Sequence, residues 1–169
     1  MPKEASLEEQ QLQQFTQHLG TAILEWQSVE EQLFLVFHYL LRCDVINISS
    51  MIYHSIANLN IKLGMIDGAA KEVLGPIPLY NKWAKLYKRI RAAASRRNDL
   101  VHFTLVRHQP ARNKKALFFL RSSVFDVTDR SIREWSTNDI KQFAQLFIKL
   151  TNDIADFADV ALARRKAMT

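Results

Sequence analysis

Glycine, proline and cysteine are all scarce in this chain, and each shortage excludes something. Four Gly and four Pro stand among 169 residues, below the roughly 7% Gly and 5% Pro of average usage. Sandwiches, barrels and Gly-rich nucleotide folds spend glycine at their turns, so the composition points instead to long helices. Cys43 is the single cysteine, which excludes an internal disulfide and a cysteine-based zinc site. No apolar run approaches the ~18 residues of a membrane span. The opening MPKEASLEEQ is polar and acidic, unlike a secretory leader. These absences predict a soluble, cytoplasmic protein with no membrane partner, and the length suits a single domain, 1–169, able to bury a core.

What is present is charge, unevenly spread. The net +6 is a remainder. Residues 1–31 hold six acids (Glu4, Glu8, Glu9, Glu25, Glu30, Glu31) against Lys3. Residues 82–121 hold twelve bases against the single acid Asp99. Such a basic stretch seeks anions, of which nucleic acid phosphate is the commonest large one. A solvated helix face that only maintains solubility has the same appearance.

Apolar periodicity supplies the architecture. From Leu7 to Leu41 the residues Leu12, Phe15, Leu19, Ala22, Trp26, Val29, Leu33, Phe37 and Leu40 recur at spacings of three and four, one face of a long helix. Ser6 and Glu9 form its capping box, and Gly20 is a place where it can bend. CDVINISS has no helical pattern, so its serines are expected to cap a second helix from near Met51. Asn58 to Asn60 interrupt that helix; a further piece runs from Ile61 to Leu74, where Gly75, Pro76 and Pro78 end it. A helix from Leu79 to about His102 turns Trp83, Leu86, Ile90 and Ala93 inward. FTLVRH and ALFFLRSSVFDV flank the loop-like QPARNKK and read as a short β-hairpin, with ALFFL open to a helical reading. STNDIKQF onward is a last helix capped by Ser136 or Thr137. The fold class is therefore all-α: an up-and-down bundle of four to five helices with a hairpin-like insertion before the last.

One cluster of reactive residue types stands out, at the end of the Leu79 helix: Arg96, Arg97, Asn98, Asp99 and His102. Asn98 and His102 are four apart and share a helix face, while Arg97 is about 140° round from His102 with a side chain long enough to swing toward that edge. These types suit phosphoryl transfer without a metal. Histidine exchanges protons near neutrality. Arginine pairs with phosphate oxygens and with charge that grows in a transition state, and asparagine orients an imidazole or donates to phosphate. The remaining histidines, His18, His38, His54 and His108, have no metal-ligand spacing. His38 and His54 lie beside core stripes, and His54 with Tyr53 stands where a second helix approaches the cluster. No phosphate loop and no Gly-x-Ser-x-Gly elbow is present.

RNDLVH, residues Arg97 to His102, resembles the Arg-x4-6-His signature of HEPN domains (higher eukaryotes and prokaryotes nucleotide-binding), in which a polar residue, often Asn, follows the Arg. The arrangement of helices is similar as well, although Phe103 stands where many members have Gly. The resemblance implies a metal-independent endoribonuclease, often a toxin or defence effector, whose homodimer brings two signatures to one cleft. On that reading Arg97 stabilises the transition state, His102 transfers protons as a ribose 2′-hydroxyl attacks phosphate, and Asn98 orients either. Arg96, Lys88, Arg89, Arg91, Arg112, Lys114 and Lys115 grip the RNA backbone, no metal or cofactor is required, and an antitoxin or regulatory protein is a further partner. Trp26, Phe34 and Phe37 are expected to supply apolar face for the second copy. The family also has inactive members, so a non-catalytic module that binds RNA, nucleotide or protein is the alternative. A third reading makes the cluster structural, with Arg97 paired to the acidic first helix and His102 at the helix C-terminus, where the dipole favours a cation.

Overall fold

The computed structural model describes residues 6–75, 78–108, 117–122 and 132–166. Five helices and three strands follow in order: α1 Leu7–Leu41, α2 Ile46–His54, α3 Leu59–Leu74, α4 Leu79–His102, β1 Thr104–His108, β2 Leu117–Arg121, β3 Glu134–Ser136 and α5 Thr137–Lys166. This is an all-α bundle with a small antiparallel sheet inserted before the last helix.

The two longest helices, α1 and α5, pack along each other and carry the core. Helix α1 starts where its capping box requires: the Glu9 amide donates to Ser6 Oγ and the Ser6 amide to Glu9 Oε2, satisfying donors that a helix start leaves open. Helix α5 starts the same way, with the Ser136 amide donating to Asp139 Oδ2 at 2.8 Å and the Asp139 amide to Ser136 Oγ at 3.3 Å. Phe15, Trp26, Leu33 and Phe37 of α1 are buried, as are Phe147, Leu150 and Ile154 of α5. Trp26 meets Phe147 edge-on with 5.2 Å between ring centroids, a geometry that aromatic quadrupoles favour.

Helix α4 is tied to both sides. Trp83 packs on Phe157 of α5 at 5.5 Å and donates through Nε1 to Asp67 of α3 at 3.1 Å, where the Tyr80 hydroxyl also donates. Burial works to raise the Asp67 carboxyl, but these bonds and the Lys71 ammonium outweigh it and hold the carboxyl below its usual range. Gly75 ends α3 at φ +65°, a left-handed conformation that favours glycine.

Helix α2 departs from the sequence expectation. It begins at Ile46, not near Met51, on Val45 with no side-chain cap, and the serines lie inside it. Ser49 is fully buried, 3.0 Å from Nδ1 of the buried His38. The helical pattern was illegible because Val45, Ile46, Ile48 and Met51 face solvent, so α2 lacks the polar outer face on which periodicity arguments rest. Burial, and secondarily the Arg165 charge, hold the His38 imidazole below its ordinary value against the opposing pull of Asp44.

Of ALFFL, residues 117–120 resolve as strand. β2 is the middle strand of the sheet, antiparallel to β1 with Val106 opposite Phe119 and to β3 with Leu120 opposite Trp135. The hairpin is thus completed by a third strand. Residues 109–116 and 123–131, which include Arg112, Lys114 and Lys115, lie outside the described residues. The sheet sits on the α1 start through Phe15 and Phe118, whose rings are 6.4 Å apart, and on α5 through Trp135 and Phe143 at 5.1 Å.

Candidate functional site

A polar cleft of about 480 Å³ opens where α4 passes α1 and the turn between α2 and α3. Helix α4 lines it with Arg91, Ala94, Ser95, Arg97 and Asn98; α1 contributes Trp26 and Glu30, and Ala57 to Asn60 form the third wall. The α4 contribution follows from its phase. Trp83, Leu86, Ile90, Ala93 and Leu100 are buried, which leaves Arg91, Ala94, Ser95 and Asn98, at spacings of three and four, on a single stripe away from the core.

Arg97 stands 100° off that stripe, yet it lines the cleft, and its Nη1 donates to Asn98 Oδ1 at 3.4 Å. Among the described residues Arg97 makes no ion pair. The acidic α1 engages another arginine: Glu8 pairs with Arg107 of β1. The half of the structural reading in which α1 neutralises Arg97 therefore finds no support in these contacts, whereas His102 does stand in the last turn of α4, as that reading expects. The third wall adds positive potential. Asn58 is the N-cap of α3, its Oδ1 accepting from the Asn60 amide at 2.8 Å, so the positive end of the α3 dipole lies at the cleft.

His102 is exposed as the last residue of α4 and is not among the cleft residues. By phase it continues the Arg91, Ser95 and Asn98 stripe, about 6 Å further along the axis than Asn98. The helix C-cap is Phe103, whose amide donates to the Asp99 carbonyl at 3.0 Å. Within one chain, then, arginine and asparagine share a cleft and the histidine stands one turn beyond it.

The other basic residues divide. Arg91 lines the cleft and Lys88 is exposed next to it on the same helix. Arg89 pairs with Asp153 of α5 at 2.5 Å. Arg96 lies over the Trp135 ring at 4.8 Å and the Phe143 ring at 5.8 Å, a cation–π contact that holds the sheet to α4. Asp99, the lone acid of the basic segment, is turned inward at 5% exposure and accepts from Arg133 Nη1 and Trp135 Nε1, each at 3.2 Å. Tyr53 is buried against Phe34 and Phe37. Its hydroxyl donates to the Glu30 main-chain carbonyl at 3.4 Å, and it is not among the cleft residues; burial, reinforced by the Glu30 charge, raises its phenol.

Sequence reasoning missed Trp26 and Glu30. Trp26 lay on the core stripe of α1, and its Nε1 donates to Glu30 Oε1 at 2.6 Å; the signal was their i, i+4 spacing, which puts the indole and the carboxylate side by side. It also missed Asn58 and Asn60, which registered only as a helix break. Compared with family models, curated proteins and solved structures, the chain matches none, so the meaning of this cleft rests on its own residues.

Proposed function

We propose that the protein is a metal-independent endoribonuclease acting through Arg97, Asn98 and His102, with RNA as its substrate and a second copy of the chain completing the site. The observation that carries this reading is the cleft itself, in which an arginine with no acidic partner among the described residues stands beside an amide and a second arginine, at the N-terminus of α3. Such a set holds phosphate and stabilises charge that accumulates on it during attack. In the proposed step the ribose O2′ loses its proton, bonds to the adjacent phosphorus, and the bond from phosphorus to the 5′ oxygen breaks. The leaving oxygen takes up a proton, giving a 2′,3′-cyclic phosphate and a 5′-hydroxyl. His102 carries the proton and Arg97 meets the phosphorane charge.

The second copy enters for a geometric reason. His102 of one chain is not in the Arg97 cleft, and a two-fold arrangement would bring one chain's histidine to the other's arginine. The apolar argument for a dimer does not hold, because Trp26 and Phe37 are buried within one chain and Phe34 is half-buried against Tyr53. A role as toxin or defence effector, with an antitoxin or regulatory partner, and a cytoplasmic location belong to the same proposal. Among the described residues no helix is long and apolar enough to cross a membrane.

The test is incubation of purified protein with diverse RNAs in EDTA, beside Arg97→Ala and His102→Ala. Cleavage by the wild type and its loss in both variants supports the enzyme. RNA that is bound and left intact favours the non-catalytic module, the reading suited to His102 standing outside the cleft. Binding itself is expected to depend on salt. With Arg91, Arg97 and Lys88 each neutralising one phosphate, affinity for single-stranded RNA falls with a log–log slope of about −2, or roughly twentyfold between about 50 and 200 mM salt. A filter-binding titration at several salt concentrations reads the slope, and a flat line removes these residues from the interface.

A further inference from the structure

Glu30 is the discordant residue of the cleft. A carboxylate among Arg91, Arg97 and the N-terminus of α3 weakens any site whose only task is to hold phosphate. Its carboxylate is nonetheless held by a buried partner: Trp26, 2% exposed, donates to Oε1 at 2.6 Å. Among the described residues it makes no ion pair, with either arginine or with any other cation. A carboxylate has about four acceptor positions and no donor; one indole N–H leaves most of them open toward the cleft. The ligand that fits therefore carries both a phosphate and a group rich in N–H donors.

We infer that Glu30 makes the cleft selective for guanine, on the nucleotide whose phosphate Arg91 and Arg97 hold. This inference rests on the reading of the cleft as an RNA site. Guanine is the one common base with two adjacent N–H donors on its pairing edge, N1–H and the 2-amino group, and a carboxylate accepts both side by side. Adenine and cytosine present a ring nitrogen acceptor beside their amino group, which faces the carboxylate as one acceptor against another, and uracil offers a single N–H between two carbonyls. Single-stranded bases are read on these edges, and a fixed carboxylate discriminates well because a mismatched base leaves it desolvated and unpaired. The cleft volume, about 480 Å³, is within the range of small-ligand sites.

Titrating the full-length chain with the 3′-monophosphates of guanosine, inosine, adenosine, cytidine and uridine, followed by calorimetry, tests the inference. Guanosine is expected to bind at least tenfold more tightly than adenosine, cytidine or uridine, with inosine, which lacks the 2-amino group, in between. Glu30→Gln retains an oxygen for Trp26 but places an amide where the second acceptor was. It is expected to lose at least tenfold for guanosine and to change little for adenosine, whereas Arg97→Ala weakens all five alike. Equal binding of all five by the wild type, or a guanosine preference that survives Glu30→Gln in a variant with wild-type circular dichroism, overturns the guanine inference and leaves the RNA reading standing. Failure of every nucleotide to bind overturns both.

Discussion

Arg97→Ala is expected to lower RNA cleavage by about 10²–10³-fold, the loss typical of removing one preorganised donor to an oxyanion, and to leave the thermal midpoint within about a degree. The two halves of this expectation come from one feature. Arg97 is half-buried, and among the described residues its side chain bonds to the neighbouring Asn98 alone, so it contributes little to holding the bundle together. His102→Ala, on an exposed helix end, is expected to behave alike in both respects. Mixing the two inactive variants adds a sharper result. If arginine from one chain works with histidine from the other, mixed dimers contain one intact site, and activity recovers to about a quarter of wild type when subunits exchange freely. Equal losses of activity and stability in Arg97→Ala would make the residue structural.

The second large effect is on stability. Asp99→Ala is expected to cost about 3 kcal/mol, measured by urea denaturation at neutral pH. The carboxylate is buried and takes both the Arg133 guanidinium and the Trp135 indole. Its removal leaves the Trp135 Nε1–H without this acceptor at the junction of sheet and bundle, and breaking such a charged, buried contact costs several times more than losing an exposed pair. Arg133 is partly exposed, so water relieves some of the penalty and the value stays below that of a fully buried pair. Arg89→Ala is the control: its ion pair with Asp153 lies at the surface, with Arg89 exposed and Asp153 partly so, and its loss is expected to cost less than about 1 kcal/mol. If the two variants unfold at the same urea concentration, Asp99 does not anchor the sheet.

These contrasts show where the sequence was readable. The bundle was legible because α1, α4 and α5 each bury one stripe, and the ends of α1 and α5 are written in local capping chemistry, Ser6 with Glu9 and Ser136 with Asp139. Helix α2 was misplaced because its exposed residues are apolar and its buried serine is polar, the reverse of the pattern that periodicity detects. The third strand escaped for a similar reason: Glu134 to Ser136 is too short to show alternation, and it is defined by pairing with β2.

The site was legible in part. Asn98 and Arg91 fall on the cleft stripe by helix phase alone, and Arg97 reaches it by side-chain length. What spacing along a single helix could not give was the opposite wall, since Glu30 and Asn60 come from segments that meet α4 only in three dimensions. Charge counting also overstated the interface. Of the basic residues of α4, Arg89 is taken by Asp153 and Arg96 by the rings of Trp135 and Phe143, so the segment's positive charge is divided between binding the bundle together and facing the cleft.

Cleavage by an internal ribose hydroxyl with Arg97 and His102 is decided by one RNA carrying a single susceptible linkage, assayed in EDTA with and without a 2′-deoxy substitution at that linkage. The all-ribose strand is expected to be cut to a 2′,3′-cyclic phosphate and a 5′-hydroxyl end, and the 2′-deoxy strand to remain whole. Cleavage of the 2′-deoxy strand, or an all-ribose strand left uncut at concentrations that saturate binding, would contradict that mechanism.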